Sequence, residues 1–350
     1  MVTTFKAFRI HETGGKISAG FEALTLDALT PGEVIIDVQF SDINYKDALA
    51  ATGTGKILRR YPLVGGIDLA GAVRSSADAR FAPGDAVLVT GGGLSEAFDG
   101  GYTEVARVAA ESVIPMPAGL DAFRAMALGT AGFTAALAIH RMERNGQTPG
   151  RGPIVVTGAT GGVGSLAIDM LSVRGYEVIA VSGKPESIDY LKSLGASKIV
   201  ARGDFSLGTR PLEATRYAGA IDSVGGDMLA GLTRQIDFWG NIASVGLAGG
   251  ADLKTTVLPF ILRGVNLLGI NSSATPRAER LEVWHRIATD LAPRHLLRIA
   301  HRTIPFAELP GAFQAYIDGK VVGRTYNGQE GASVWPLRAC FSSPYRFRTS

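Results

Sequence analysis

Apolar and polar positions follow two regimes that change near Pro117. Before it, short apolar runs are set off by turn signals. Residues 34–40 and 85–90 read as strands introduced by Pro31-Gly32 and Pro83-Gly84, and residues 70–73 read as another. The first 120 residues therefore predict an all-β region with short insertions. After Pro117, residues 122–141 are Ala-rich, apolar and long enough for helices, with breaks expected at Gly129 and Gly132. Residues 153–157 form a β-branched apolar run of the buried, parallel type. A helix over 163–173, a strand over 176–181, a helix over 185–194 and a strand over 198–200 follow, with further strand-like runs at 219–224 and 240–246. Strands alternating with helices predict an α/β doubly wound parallel sheet. A strand at 303–306 and a helix over 307–317 could rejoin the first domain.

Composition narrows the class. A chain of 350 residues, 46% hydrophobic and 19% charged, suits a two-domain globular enzyme. The 35 Lys+Arg against 32 Asp+Glu leave a net charge of +3 without clusters of basic and aromatic residues, which excludes a nucleic-acid surface. The single cysteine, Cys340, excludes an intrachain disulfide and a Cys-rich metal site. The amino terminus lacks the apolar core of a signal peptide, and no uninterrupted apolar run approaches a membrane span. A cytoplasmic enzyme with no membrane partner is the expectation.

The strongest local signal is Gly158-Ala159-Thr160-Gly161-Gly162-Val163-Gly164, placed after a buried strand and opening a helix. The first glycine makes the turn, the second admits a pyrophosphate close to the backbone, and Gly164 lets helix and strand pack closely. The helix head then offers N–H groups and the positive end of its dipole to phosphates. This is a dinucleotide-binding arrangement. An acid at the end of the next strand would select NAD; here the strand ends Val181-Ser182-Gly183-Lys184. Ser182 can hydrogen-bond a 2′-phosphate, and Lys184 and Arg202 can supply charge, so the expected cofactor is NADPH. Solvated loop cations are the other reading of the two bases.

Zinc dehydrogenases also join a β-rich domain to such a sheet, but their metals need Cys and His ligands. The five histidines, His11, His140, His285, His295 and His301, do not lie at ligand spacing with a cysteine. No metal is expected.

Beyond the Gly loop, several motifs recur together: Asn44-Tyr45-Lys46-Asp47-Ala48, Gly66-Ile67-Asp68-Leu69-Ala70-Gly71, Gly129-Thr130-Ala131-Gly132-Phe133-Thr134-Ala135, Gly246-Leu247-Ala248-Gly249-Gly250, Leu258-Pro259-Phe260-Ile261-Leu262-Arg263 and Gly323-Arg324-Thr325. From about residue 5 to about 326 the chain resembles the zinc-free medium-chain dehydrogenase/reductases of the acrylyl-CoA reductase and YhdH/YhfP-type quinone oxidoreductase group. The resemblance implies a GroES-like catalytic domain over residues 1–122, a Rossmann domain over 123–270 and a return to the catalytic domain over 271–326. It also implies a homodimer that uses NADPH. Residues 327–350 lack a helix or strand period and are expected to be a disordered addition.

Site residues carry over by the same resemblance. Tyr45 would lie beside the nicotinamide and Gly161, Gly162, Val163 and Gly164 at the pyrophosphate. Ser182, Gly183, Lys184 and Arg202 would hold the adenosine phosphate, and Leu247, Ile261 and Ser272 would line the nicotinamide half. The family more often carries Arg at the position of Lys184. The loop 91–101 lacks the Trp-containing character expected there. Thr130 would touch the cofactor or serve packing, and Asp68 reads as a structural acceptor. Asn44 and Arg324 are substrate candidates, Arg324 for a CoA phosphate, although Arg324 also reads as a surface cation. The reaction implied is hydride delivery to the β-carbon of an enoyl-CoA thioester or enone, with Tyr45 as proton donor or as a packing group. A quinone reductase and a catalytically idle NADPH-binding protein are the alternatives.

Overall fold

Between Thr13 and Lys16 the chain reverses through Gly14 and Gly15, both at positive φ, the backbone that joins two twisted strands most tightly. The computed structural model describes residues 3–328. In chain order, the first part holds β1 (Phe5–Thr13), β2 (Lys16–Leu24), β3 (Val34–Ile43), α1 (Tyr45–Thr52), β4 (Leu63–Val64), β5 (Asp68–Ser76), β6 (Ala86–Thr90), β7 (Val105–Val108) and β8 (Ile114–Pro115). Helix α2 (Ala122–Arg144) then leads to β9 (Ile154–Thr157), α3 (Gly162–Val173), β10 (Val178–Ser182), α4 (Ile188–Ser193), β11 (Lys198–Ala201), β12 (Tyr217–Asp222), α5 (Gly226–Gln235), β13 (Ile236–Ser244), α6 (Leu258–Arg263) and β14 (Asn266–Gly269). The chain continues through α7 (Arg277–Ala288), α8 (Leu296–Ile299), β15 (Arg302–Pro305), α9 (Leu309–Ile317) and β16 (Thr325–Gly328).

Strands β9–β14 form one parallel six-stranded sheet in the order β11-β10-β9-β12-β13-β14. Counted from β9 this is the 3-2-1-4-5-6 order of a Rossmann sheet, and β9 at its centre is wholly buried, as its β-branched run requires. The β-rich unit has a three-stranded sheet, β2-β1-β4, and a seven-stranded sheet built around β3. On the return of the chain, α7 and α8 pack on α2 and α3, Arg277 and Arg280 of α7 also reach Ala110, Glu111, Val113 and Thr90 of the β-rich unit, and β15, α9 and β16 join that unit directly. Asn327 and Gly328 belong to β16, paired with Ser41 and Phe40, because the edge of β3 offers them hydrogen-bond partners. They are not part of a disordered tail. The rest of that expectation, residues 329–350, lies outside the described residues.

Helix α2 has the length and apolar content of a membrane span, but 78% of its apolar window is buried inside the protein. It lies against α3, α7 and the β5–β6 face, with Phe133 stacked on Trp284 at 6.0 Å between ring centres. One apolar core therefore runs from Leu88 of the β-rich unit to Ile154 of the parallel sheet.

Of the two expected breaks in α2, only Gly129 is one, at φ 51° and ψ −157°; Gly132 stays helical. A Cβ at Gly129 would sit 1.6 Å from Asp42 Oδ2 and 2.5 Å from Arg324 Nη2. The kink thus lets β3, α2 and the approach to β16 meet at one buried point. Gly129→Ala is expected to cost about 3 kcal/mol or more, or to yield insoluble protein, because it combines positive φ with a buried clash. A soluble variant with an unchanged thermal midpoint would show that the junction has slack.

Candidate active site between the two units

Strand β9 ends at Thr157, whose hydroxyl donates to Asp222 Oδ1 at 2.6 Å and ties β9 to β12 beneath the glycine loop. Gly158 turns the chain at φ 59°, Gly161 caps α3, and a Cβ at Gly164 would lie 2.4 Å from the Gly158 carbonyl oxygen. Helix and strand can close only on a bare backbone. The N–H groups of Gly162, Val163 and Gly164 head α3, where a helix has no internal acceptors. The glycine-rich loop is a cradle of backbone N–H groups that fits a pyrophosphate.

The structure brings Ser182, Gly183, Lys184 and Arg202 together at the carboxyl ends of β10 and β11. Ser182 Oγ accepts from the Lys184 N–H at 3.0 Å, and the Arg202 guanidinium packs over Gly183, 3.3 Å from where a Cβ would be. Lys184 is not a loose cation: Nζ donates to the Val321 carbonyl at 2.9 Å, and partial burial lowers its pKa. These groups fit an adenosine phosphate.

At the β-rich side, Tyr45 opens α1 half exposed, and no protein group among the described residues hydrogen-bonds its hydroxyl. Asn44 and Asp47 form a capping box that sets the start of this helix. Both Asp47 oxygens accept backbone N–H groups, of Asn44 at 2.8 Å and of Ile67 at 3.0 Å. The Asn44 amide donates to Asp42 Oδ1 at 2.8 Å and to Asp68 Oδ2 at 2.9 Å, and its oxygen accepts from Arg324 Nη1 at 2.8 Å. Thr130 donates to Asp68 through N–H at 2.7 Å and through its hydroxyl at 2.5 Å.

These contacts correct three expectations. Asn44 has its side chain fully engaged inside the protein and offers nothing to a substrate. Thr130 gives its N–H and its hydroxyl proton to Asp68, the structural acceptor. Arg324 is 3% exposed and paired with Asp42, so it is neither a surface cation nor free for a CoA phosphate. Burial opposes its charge, yet Asp42, Tyr316, Asp68 and Asp47 keep its pKa raised. One cation faces three carboxyl groups here, and desolvation pushes the Asp42 pKa up and that of Asp47 up to about 7.

Of the residues expected at the nicotinamide half, Leu247 (67% exposed) follows β13, and Ile261 (68% exposed) stands on the open face of α6. Ser272 is partly buried, and its carbonyl accepts from Arg280 Nη2 at 2.7 Å. Sequence reasoning missed α1, Asp42 as the partner of Arg324, and the Lys46–Glu96 ion pair that ties α1 to the loop after β6. The Asn44-x-x-Asp47 spacing signals the helix; nothing local signals the two ion pairs. Among the described residues no group of three or more His, Cys, Asp or Glu is arranged to hold a metal, so the donor set does not fit zinc.

A family model described as an alcohol dehydrogenase GroES-like domain matches residues 30–118, and one described as a zinc-binding dehydrogenase matches residues 162–289. The acrylyl-CoA reductase AcuI of Ruegeria pomeroyi is 50% identical over 314 residues, 89% of this chain and 95% of that protein. The putative quinone oxidoreductase YhfP of Bacillus subtilis is 45% identical over 325 residues, 93% of this chain and 98% of its own. Among solved structures, the YhdH oxidoreductase of Salmonella enterica in complex with NADP superposes with a TM-score of 0.89 at 46% identity, covering 92% of this chain and 99% of its own. YhfP of Bacillus subtilis with NAD bound gives a TM-score of 0.90 at 44% identity, covering 93% and 99%. The chain therefore belongs to the acrylyl-CoA reductase and YhdH/YhfP-type quinone oxidoreductase family of medium-chain dehydrogenase/reductases.

Proposed function

We propose that this protein is an NADPH-dependent reductase of the C=C bond in an α,β-unsaturated thioester of the acrylyl-CoA type, working without a metal. The observation that carries the reading is the 50% identity to an acrylyl-CoA reductase over 95% of that enzyme. When bound, NADPH supplies the hydride. The loop N–H groups of Gly162, Val163 and Gly164 hold its pyrophosphate, with Gly158 and Gly161 shaping the turn. Ser182, Gly183, Lys184 and Arg202 hold the 2′-phosphate. Leu247, Ile261 and Ser272 are the residues proposed for the nicotinamide half. Tyr45, at the head of a capped helix and with no hydrogen-bond partner for its hydroxyl among the described residues, donates a proton to the reduced substrate. In this metal-free reading, charge on the substrate carbonyl is met by hydrogen-bond donors. Quinone reduction is the second reading, favoured by the 45% identity to YhfP. A homodimer is also proposed. Phe238, Trp239, Val257 and Leu262 form exposed apolar surface next to β14, the open edge of the parallel sheet, and Trp239 lies over Gly264 just before that strand.

With NADPH as donor, acrylyl-CoA is expected to be reduced faster than 1,4-benzoquinone; the reverse order selects the quinone reading, and no turnover on either leaves an idle cofactor-binding protein. Tyr45→Phe should lower kcat with acrylyl-CoA roughly 100-fold while NADPH affinity holds; unchanged turnover would reduce Tyr45 to packing. Lys184→Glu is expected to weaken NADPH by about 10- to 100-fold and NADH much less. Equal weakening in fluorescence titrations would refute the phosphate assignment. In sedimentation velocity the protein should run as a dimer and Trp239→Asp as a monomer; a monomeric wild type would overturn the interface.

A further inference from the structure

A cavity of about 620 Å³ opens between the glycine loop after β6 and the head of α7. Its charge is unbalanced. Two carboxylates line it, and both are already engaged: Glu96 by Lys46 and, at 3.8 Å, by Arg59, and Glu111 by Arg80 at 3.1 Å. Three arginines line it as well. Arg280 is buried and makes its hydrogen bonds only to neutral oxygens, those of Thr90, Ser272 and Ser273, with the Phe133 ring 4.7 Å away. Arg277 uses Nη1 alone, on the carbonyls of Ala110, Glu111 and Val113, leaving Nε and Nη2 without a protein partner among the described residues. Neither has an ion pair among the described residues. The Arg59 side chain extends into solvent at the rim, and the half-exposed Phe98 ring offers a stacking face.

We propose that this cleft binds the phosphorylated nucleotide end of the thioester carrier, with Arg59 and Arg277 on the phosphates and Phe98 against the base. The inference rests on the thioester reading of the active site and names how that substrate is held. Arg277 has free N–H donors and the exposed Arg59 holds Glu96 only loosely, at 3.8 Å, and guanidinium groups beside a cleft recognise phosphate esters through paired N–H donors. The first turn of the twelve-residue α7 faces the same cleft and adds the positive end of its dipole. The Lys46–Glu96 pair joins the cleft wall to α1, one residue from Tyr45, so a carrier anchored here can present its acyl end to the catalytic helix. A free quinone or enone has no phosphates and gains nothing from these arginines.

The test compares acrylyl-CoA with acrylyl-pantetheine, which keeps the thioester and lacks the nucleotide phosphates. It uses wild type, Arg59→Glu and Arg277→Ala. Because Arg277 also holds the carbonyls of residues 110–113, the variant at the exposed Arg59 separates charge from folding. Wild type is expected to show a KM about 10-fold or more lower for the CoA thioester, and each variant to shrink that ratio by roughly 5-fold or more. Equal KM values in wild type, or a ratio unmoved in both variants, would overturn the proposal while leaving the reductase reading intact. Calorimetric titration of the NADP-loaded protein with adenosine 3′,5′-bisphosphate gives an answer that does not depend on turnover. If no thioester is reduced, the function reading falls. Binding that is lost in Arg59→Glu would then still support the cleft, and no binding by wild type would reject it.

Discussion

The junction of the two units depends on one buried ion pair, Arg324 with Asp42. Four of the elements that frame the site meet at it. Asp42 sits near the end of β3, Arg324 comes just before β16, Asn44 caps α1, and Gly129 breaks α2 to make room. A Cβ on Gly162 would meet the Arg324 side chain at 2.7 Å, so the same arginine also abuts the dinucleotide loop. Buried charge is costly unless paired and hydrogen-bonded, and the carboxyl groups here take donors from four separate segments, at Arg324, Asn44, Ile67 and Thr130. Asp68 and Thr130 extend it across the kink. The cradle for the cofactor and the helix carrying Tyr45 are therefore held in register by electrostatics, while the shared apolar core around α2 supplies bulk cohesion.

What was legible in the amino-acid pattern was local. Strands β9, β10 and β12 were visible because buried parallel strands read as unbroken apolar runs. The glycine loop was visible because only backbone geometry admits those residues at those spacings. Ser182, Gly183, Lys184 and Arg202 are found together because adjacent parallel strands end side by side. Helix α1 escaped because eight residues give too short a period, leaving only the Asn44–Asp47 cap as a sign. The role of Arg324 was illegible for a different reason. Its partner Asp42 is 282 residues away, and no local pattern carries a pairing at that distance. Gly132 was misread because a glycine inside a helix and a glycine at a break look alike until the neighbours are known.

Strand β16 pairs antiparallel with β3 and parallel with β15, so the central strand of the β-rich unit takes a neighbour from the far end of the chain. Gly323 N–H donates to the Thr160 carbonyl at 2.9 Å on the way, and Val321 receives Lys184. This imposes an order of assembly on the ribosome. The parallel sheet, β9 to β14, is complete within its own continuous stretch and can form as soon as that stretch has emerged. The β-rich unit, although it is made before that sheet, must wait with an open edge on β3 and an unpaired Asp42 until Arg324 and β16 have been translated. The β-rich unit thus matures after the parallel sheet, and its exposed β3 edge is the segment that most needs protection during synthesis.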